Sequence, residues 1–207
     1  MIKRPRQQEL PLPNTWGGKR AGAGRKPKGV RPQVSHHARP YFDKPAAVHV
    51  TLRVDHHVWN LRSQRCFRVL KQALRDALGR FGLRVIHFSV QGNHLHLIVE
   101  ADSSMSLSTG MQGLCIRIAR SLNRLMVRKG PVFADHFHSR LLPSPTEVTR
   151  AIQYVLDNHR KHYGSSGTDP YASPSLTAAE RDRVLAKPMT WMLRDGWRRA
   201  VKRLARD

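Results

Sequence analysis

Two histidines one residue apart, His94 and His96, open a strictly alternating run, HLHLIVE, over residues 94–100. Side chains two apart in an extended strand point the same way, so both imidazoles project from one face, about 6–7 Å apart along the strand. Leu95, Leu97 and Val99 make the opposite face purely aliphatic and fit to be buried. Paired imidazoles on a rigid strand supply two ligands of a divalent metal site. Further on, AIQYVLDNHRKHY over residues 151–163 reads as a helix. At about 100° per residue, Tyr154 lies off the middle of the apolar stripe of Val148, Ile152, Val155 and Leu156. Asn158 shares its side of the helix, and Lys161 is one turn further. A cation held by two imidazoles and an amide oxygen can polarise a phosphodiester, and a phenol can attack it and hold the severed end covalently. The plainer alternatives are packing or surface histidines, and a tyrosine buried at a helix–sheet junction with its hydroxyl hydrogen-bonded.

Those groups need a frame, and the surrounding pattern predicts one. Ala47–Val54 alternates and is β-branched, as a strand does. Cys66–Phe81 repeats its apolar residues every three or four positions, as an amphipathic helix does, with Gly82 ending it. Leu83–Gln91 and His94–Glu100 are a second and third strand joined at Gly92-Asn93. Ser106–Arg128 is a second helix, with Leu107, Met111, Leu114, Ile118, Leu122 and Leu125 as its stripe. Val132–Leu142 is a fourth strand, and a third helix begins near Thr146, its expected N-cap. The order β-α-β-β-α-β-α predicts an α+β, ferredoxin-like (RRM-like) βαββαβ antiparallel sheet with an extra C-terminal helix. The aliphatic side of the third strand then faces the first two helices. The His94/His96 side faces the uncovered surface, where the third helix can lie.

The charge is one-sided. The chain has 207 residues, with 37 Lys+Arg against 14 Asp+Glu, a formal +23. Such a chain suits a polyanion through phosphate neutralisation and counterion release. No apolar run approaches the roughly 20 residues of a spanning helix, and no secretory segment follows the N-terminal basic residues. Cys66 and Cys115 sit within helical patterns and read as buried free thiols in a reducing, cytoplasmic compartment. Residues 1–46 are rich in Pro, Gly and cations and poor in apolar groups, so this arm is expected to be mostly disordered alone. Within it Arg25, Lys26 and Lys28 form an extended basic strip, suited either to a minor groove or to non-specific phosphate contact. Arg117, Arg120, Arg124 and Arg128 make a row on the second helix that tracks a phosphate backbone or is simply solvated. Residues 47–163 form the folded unit. Residues 164–207 read as a turn-rich linker, a short helix with a Thr177–Glu180 capping box, and a basic tail. Trp191 and Trp197 lie among that tail's cations, where they can stack on unpaired bases or dock the tail on the domain.

GNHLHLIVE resembles the HUH motif of single-strand nucleases, and Tyr154 with Asn158 four residues on resembles the single-tyrosine transposases. The set VIHFSVQGNHLHLIVE, GMQGLCIRIARSLNR, GPVFADHFHSR and YVLDNHRKH, spread over about residues 47–163, is similar to the REP-associated tyrosine transposases. The resemblance implies a metal-dependent single-stranded DNA endonuclease and strand transferase acting at hairpin-forming repeats. His94 and His96 would bind Mg²⁺ or Mn²⁺, and Tyr154 would attack a phosphodiester to leave a 5′-phosphotyrosine and a free 3′-OH. The family's third ligand is often Gln four residues after the tyrosine, a position held here by Asn158, one methylene shorter. His138, His159 and His162 are the other candidates, and all-imidazole ligation would favour Mn²⁺ over Mg²⁺. The implied partner is single-stranded, hairpin-containing DNA, the implied state a monomer or homodimer, and the implied location the nucleoid. The competing expectation is a non-catalytic binder of hairpin DNA or RNA on the same fold, although RRM-like sheets carry aromatics where this strand carries His94 and His96.

Overall fold

Strand β1, Ala46–Arg53, occupies the middle of an antiparallel sheet. It pairs on one side with β3, His94–Ala101, and on the other with β4, His138–Leu141. Strand β2, Leu83–Val90, pairs with the outer side of β3, giving the order β2-β3-β1-β4. Helix α1, Gln64–Ala77, joins β1 to β2, and α2, Ser104–Leu125, joins β3 to β4. This is the expected ferredoxin-like βαββαβ arrangement. The computed structural model describes residues 41–164 and 167–204 and, within them, all side chains except those of residues 161–163 and 202–204.

Period-two alternation builds the first core. Val48, Val50 and Leu52 of β1 and Leu95, Leu97 and Val99 of β3 meet Leu70 and Leu74 of α1 and Met111, Leu114, Ile118 and Leu122 of α2. The other face is also covered. Helix α3, Pro145–Tyr163, lays Val148, Ile152 and Val155 on Ala47, Ile86, Ile98 and Leu142. Ile98 is therefore wholly buried although it shares a face with His94 and His96. The third helix lies where alternation placed it.

Boundaries differ from expectation for local reasons. Helix α3 is capped by Ser144, whose hydroxyl accepts from the Glu147 N–H at 3.3 Å, not by Thr146. Pro145 follows at the first helical position, where its fixed φ and missing N–H cost nothing. Helix α1 stops at Ala77, not Phe81, because Gly79 turns left-handed at φ +69°. Strand β4 is far shorter than Val132–Leu142: Phe133 makes an isolated bridge to Val54, and then Asp135 accepts from the His136 N–H at 2.7 Å. A side chain that binds the adjacent backbone offers it an alternative to the ladder.

The described residues beyond α3 pack on this unit. Val90 N–H donates to the Tyr171 carbonyl at 3.0 Å, Ser89 bridges Ala172, and Ala186 N–H donates to Val85 at 2.9 Å. These contacts cover the outer edge of β2, which would otherwise offer a ready template for pairing. Arg62 grips Asp169 through two guanidinium nitrogens at 2.9 and 2.8 Å and stacks over Tyr171. Helix α4, Ala178–Val184, carries the expected Thr177–Glu180 capping box. A π-helical turn, Met192–Gly196, and α5, Trp197–Leu204, run beside α3, whose Thr149 hydroxyl donates to the Trp197 carbonyl at 2.9 Å. Among the described residues, no helix is long and apolar enough to cross a membrane.

Candidate active site

Sheet register assembles the site. His96 lies opposite Thr51 of β1, His94 opposite Arg53, and Ile98 opposite His49. On the far side of β1, His138 pairs with Thr51 and Arg140 with His49, while Ser89 of β2 pairs with His96. Directly opposed residues share a face. A row therefore runs Ser89, His96, Thr51, His138 across all four strands, with His49 and Arg140 one step along. His96 is buried, and its Nδ1 lies 3.2 Å from both His49 Nε2 and Thr51 Oγ1. His94 Nδ1 lies 2.8 Å from Asn93 Oδ1, and the His94 and His96 rings stand edge to face at 4.8 Å. Burial, and then the charges of His138 and Arg140, hold the His49 imidazole down to about 4, so it is neutral near pH 7.

Tyr154 reaches this row from α3. The helix buries its apolar stripe, and Tyr154, off that stripe, is turned along the sheet and stays 43 % exposed. Its ring centroid is 5.4 Å from that of His96 and 5.9 Å from that of His49. A cavity of about 620 Å³ opens here, lined by His49, Thr51, His96, His138, Arg150 and Tyr154 among others. Arg140 and Glu147 also line it and pair at 3.2 Å. A phenol, clustered imidazoles and two guanidinium groups around one open cavity suit a ligand bearing a phosphate.

Of the residues singled out from sequence, His94, His96 and Tyr154 come together. Asn158 sits one turn beyond Tyr154 and is buried, and its amide nitrogen makes no hydrogen bond among the described residues. His138 lines the cavity. His159 does not serve as a ligand candidate: its two ring nitrogens face the carbonyls of Leu156 and Gly167 at 3.1 and 3.0 Å and tie α3 to the following loop. Arg120 and Arg124 are exposed and Arg117 donates to Gly113, all on α2, which packs on the sheet face opposite Tyr154. Arg25, Lys26 and Lys28 lie outside the described residues, as do the side chains of Lys161 and His162. His49, Thr51, Arg140 and Arg150 were missed. Alternation along β1 did place His49 and Thr51 on one face, but only pairing with β3 brings them to His96. A separate trio, Asp55, His56 and His57, follows β1, with ligand atoms within 4.8 Å of one another.

The donors fit a divalent cation. Nδ1 of His94 faces Asn93 Oδ1, and Nδ1 of His96 faces Thr51 Oγ1 and His49 Nε2 at equal distance, which leaves Nε2 of each as the ligand atom. That is how ligating imidazoles are oriented when they coordinate through Nε2.

Residues 45–141 match the family described as transposase IS200 like. A solved structure of a REP-associated tyrosine transposase bound to a REP hairpin superposes with a TM-score of 0.56 at 14 % identity, over 75 % of this chain and 93 % of that one. A second similar structure, a protein of Deinococcus radiodurans described as a transposase, gives a TM-score of 0.41 at 16 % identity, over 59 % of this chain and 95 % of that one. No curated protein matches the chain in sequence.

Proposed function

We propose that this chain, which matches the IS200-like transposase family over residues 45–141, is a metal-dependent single-stranded DNA endonuclease and strand transferase whose nucleophile is Tyr154. The observation that carries the proposal is the Tyr154 ring 5.4 Å from His96, itself paired with His94. His94 and His96 would hold Mg²⁺ or Mn²⁺, with Asn158 or His138 completing the set. When bound, such an ion withdraws charge from a non-bridging phosphate oxygen. Thr51 and Asn93 would orient the two imidazoles for such an ion. Arg140 and Arg150 draw the phosphate into the cavity, and α3 sets the Tyr154 oxygen against phosphorus. The Tyr154 O–P bond forms as the P–O3′ bond breaks. The tyrosine loses its proton, and the departing 3′-oxygen gains one, giving a 5′-phosphotyrosine and a 3′-OH.

The hairpin held by the similar structure supports a hairpin-containing strand as substrate. Residues 1–46, with Arg25, Lys26 and Lys28, would add non-specific phosphate contacts, and Lys161, within the catalytic helix itself, would add another. Arg117, Arg120 and Arg124 would bind flanking DNA on the far face of the sheet.

The test is incubation of labelled single-stranded hairpin DNA with the protein and Mn²⁺ or Mg²⁺, resolved on a denaturing gel with and without protease. A metal-dependent, protease-sensitive shifted band that vanishes in Tyr154→Phe supports the proposal. Half exposure of Tyr154 means that the variant stays folded and still binds. Cutting by Tyr154→Phe at the wild-type rate refutes covalent catalysis. Tight, salt-sensitive binding without cutting under either metal identifies a hairpin-binding protein instead.

A further inference from the structure

Near the end of β3, Glu100 is a wholly buried carboxylate. It accepts from Arg84 Nε at 2.7 Å, from the main-chain N–H groups of Met189 and Thr190 at 3.1 and 2.8 Å, and from the Thr190 hydroxyl at 2.7 Å. The chain is thus gripped just before Trp191. That indole is nevertheless 47 % exposed. The π-helical turn that follows buries Leu193 in the apolar cluster that holds Ile98 and Ile152, on the sheet face that carries Tyr154. It also brings Gly196 against the indole: a Cβ at Gly196 would lie 2.8 Å from the ring, so Trp191 rests on bare backbone. Arg199 stands 5.8 Å from its centroid, and Arg198 stands 5.4 Å from that of Trp197. Lys187, Arg194, Arg198 and Arg199, all exposed, lie within eight residues of Trp191 in sequence, Arg194 pairing with Asp195 at 2.8 Å.

An anchored indole with an open surface and a cationic surround is the equipment of a base-stacking site, because every base has a π-face and every nucleotide a phosphate. Single π-turns within helices recur at functional sites. We infer that Trp191 is a stacking platform for one unpaired base of a DNA strand, with Arg198 and Arg199 holding the neighbouring phosphates. The inference rests on the proposed action on single-stranded DNA and extends it to a second contact. Glu100, which holds the backbone just before Trp191, is four residues from His96 along β3, about 13 Å.

The experiment measures binding of a single-stranded DNA oligonucleotide to the full chain in EDTA, where no cutting occurs. Trp191→Ala is expected to weaken binding about 5- to 150-fold, Trp191→Phe to restore most of it, and Trp59→Ala, at another half-exposed indole, to leave it unchanged. An abasic site walked along the strand should weaken wild-type binding at one position by that factor and have no effect there on Trp191→Ala. Binding by Trp191→Ala within twofold of wild type overturns the platform, as does a Phe variant as weak as the Ala one with an equally lowered melting temperature. Dependence on Trp191 for an RNA strand but not for DNA overturns the choice of partner. Wild-type protein that binds no single strand refutes the functional proposal and this inference together. Wild-type binding matched by Trp191→Ala refutes this inference alone.

Discussion

Glu100→Gln should detach the C-terminal segment from the sheet. The carboxylate is inaccessible to water and accepts from four donors, one on Arg84 and three on Met189 and Thr190. Burial alone would raise its pKa, but the Thr190, Arg84 and Met189 donors outweigh burial and hold it below the ordinary range. The ionised form is therefore the one that binds. Glutamine keeps one acceptor oxygen and aims an NH₂ at groups that are themselves donors. It also strands Arg84, which is 13 % exposed and would keep only its contact with Asp102. Breaking one side of a buried charged network costs about 3–5 kcal/mol, or about 6–20 °C in a chain of this size. The assays are a thermal melt and limited proteolysis. Cleavage should begin between residues 187 and 200 while the βαββαβ unit survives. Thr190→Val, which removes one hydroxyl bond, should cost about 1 kcal/mol. Since the folded pKa lies below the unfolded one, the stabilisation is present above the unfolded pKa and is lost as pH falls through the folded value. Wild-type protein at low pH should therefore come to resemble the variant. A Glu100→Gln protein that melts within 2 °C of wild type, with the same protease pattern, would refute this account of what holds the segment.

Two further outcomes follow from buried groups. His87, with Nδ1 3.2 Å from the Ser173 hydroxyl, is held down from 6.5 to about 4 by burial and then by Arg181. Between those values the unfolded chain carries a proton there that the folded chain lacks. Stability is full above pH 6.5 and falls on acidification, by about 2 kcal/mol at pH 5, and urea denaturation should show His87→Gln losing that much less between pH 7 and 5. Gly110 of α2 is buried, and a Cβ there would lie 2.4 Å from that of Leu83. Gly110→Ala should cost about 1–3 kcal/mol by overpacking despite better helix propensity, and an unchanged or higher melting temperature would show that α2 can shift off β2.

Periodicity made much of this protein legible in its residues alone. Alternation is a property of one strand, so HLHLIVE by itself divides Leu95, Leu97 and Val99 from His94 and His96, and the helical interval by itself sets Tyr154 off the stripe of Ile152 and Val155. Two helices for the aliphatic face and one for the histidine face follow from the same count. What the chain could not announce is any contact made by pairing distant segments. His49 and Thr51 reach His96 across 47 and 45 residues, and a one-residue slip of β1 against β3 would turn both to the opposite face. Hydrogen bonding between strands chose that register. The Arg row of α2 fits a phosphate track or a solvated face equally in sequence, and only packing of α2 on the leucine face sets it across the sheet from Tyr154. The Ser89–Ala172 bridge, the Arg62 grip on Asp169 and the Glu100 hold on Thr190 draw a segment that reads as linker and tail onto the fold. Each joins groups more than 80 residues apart, so only tertiary burial, which makes an unpaired edge or carboxylate costly, brings them together.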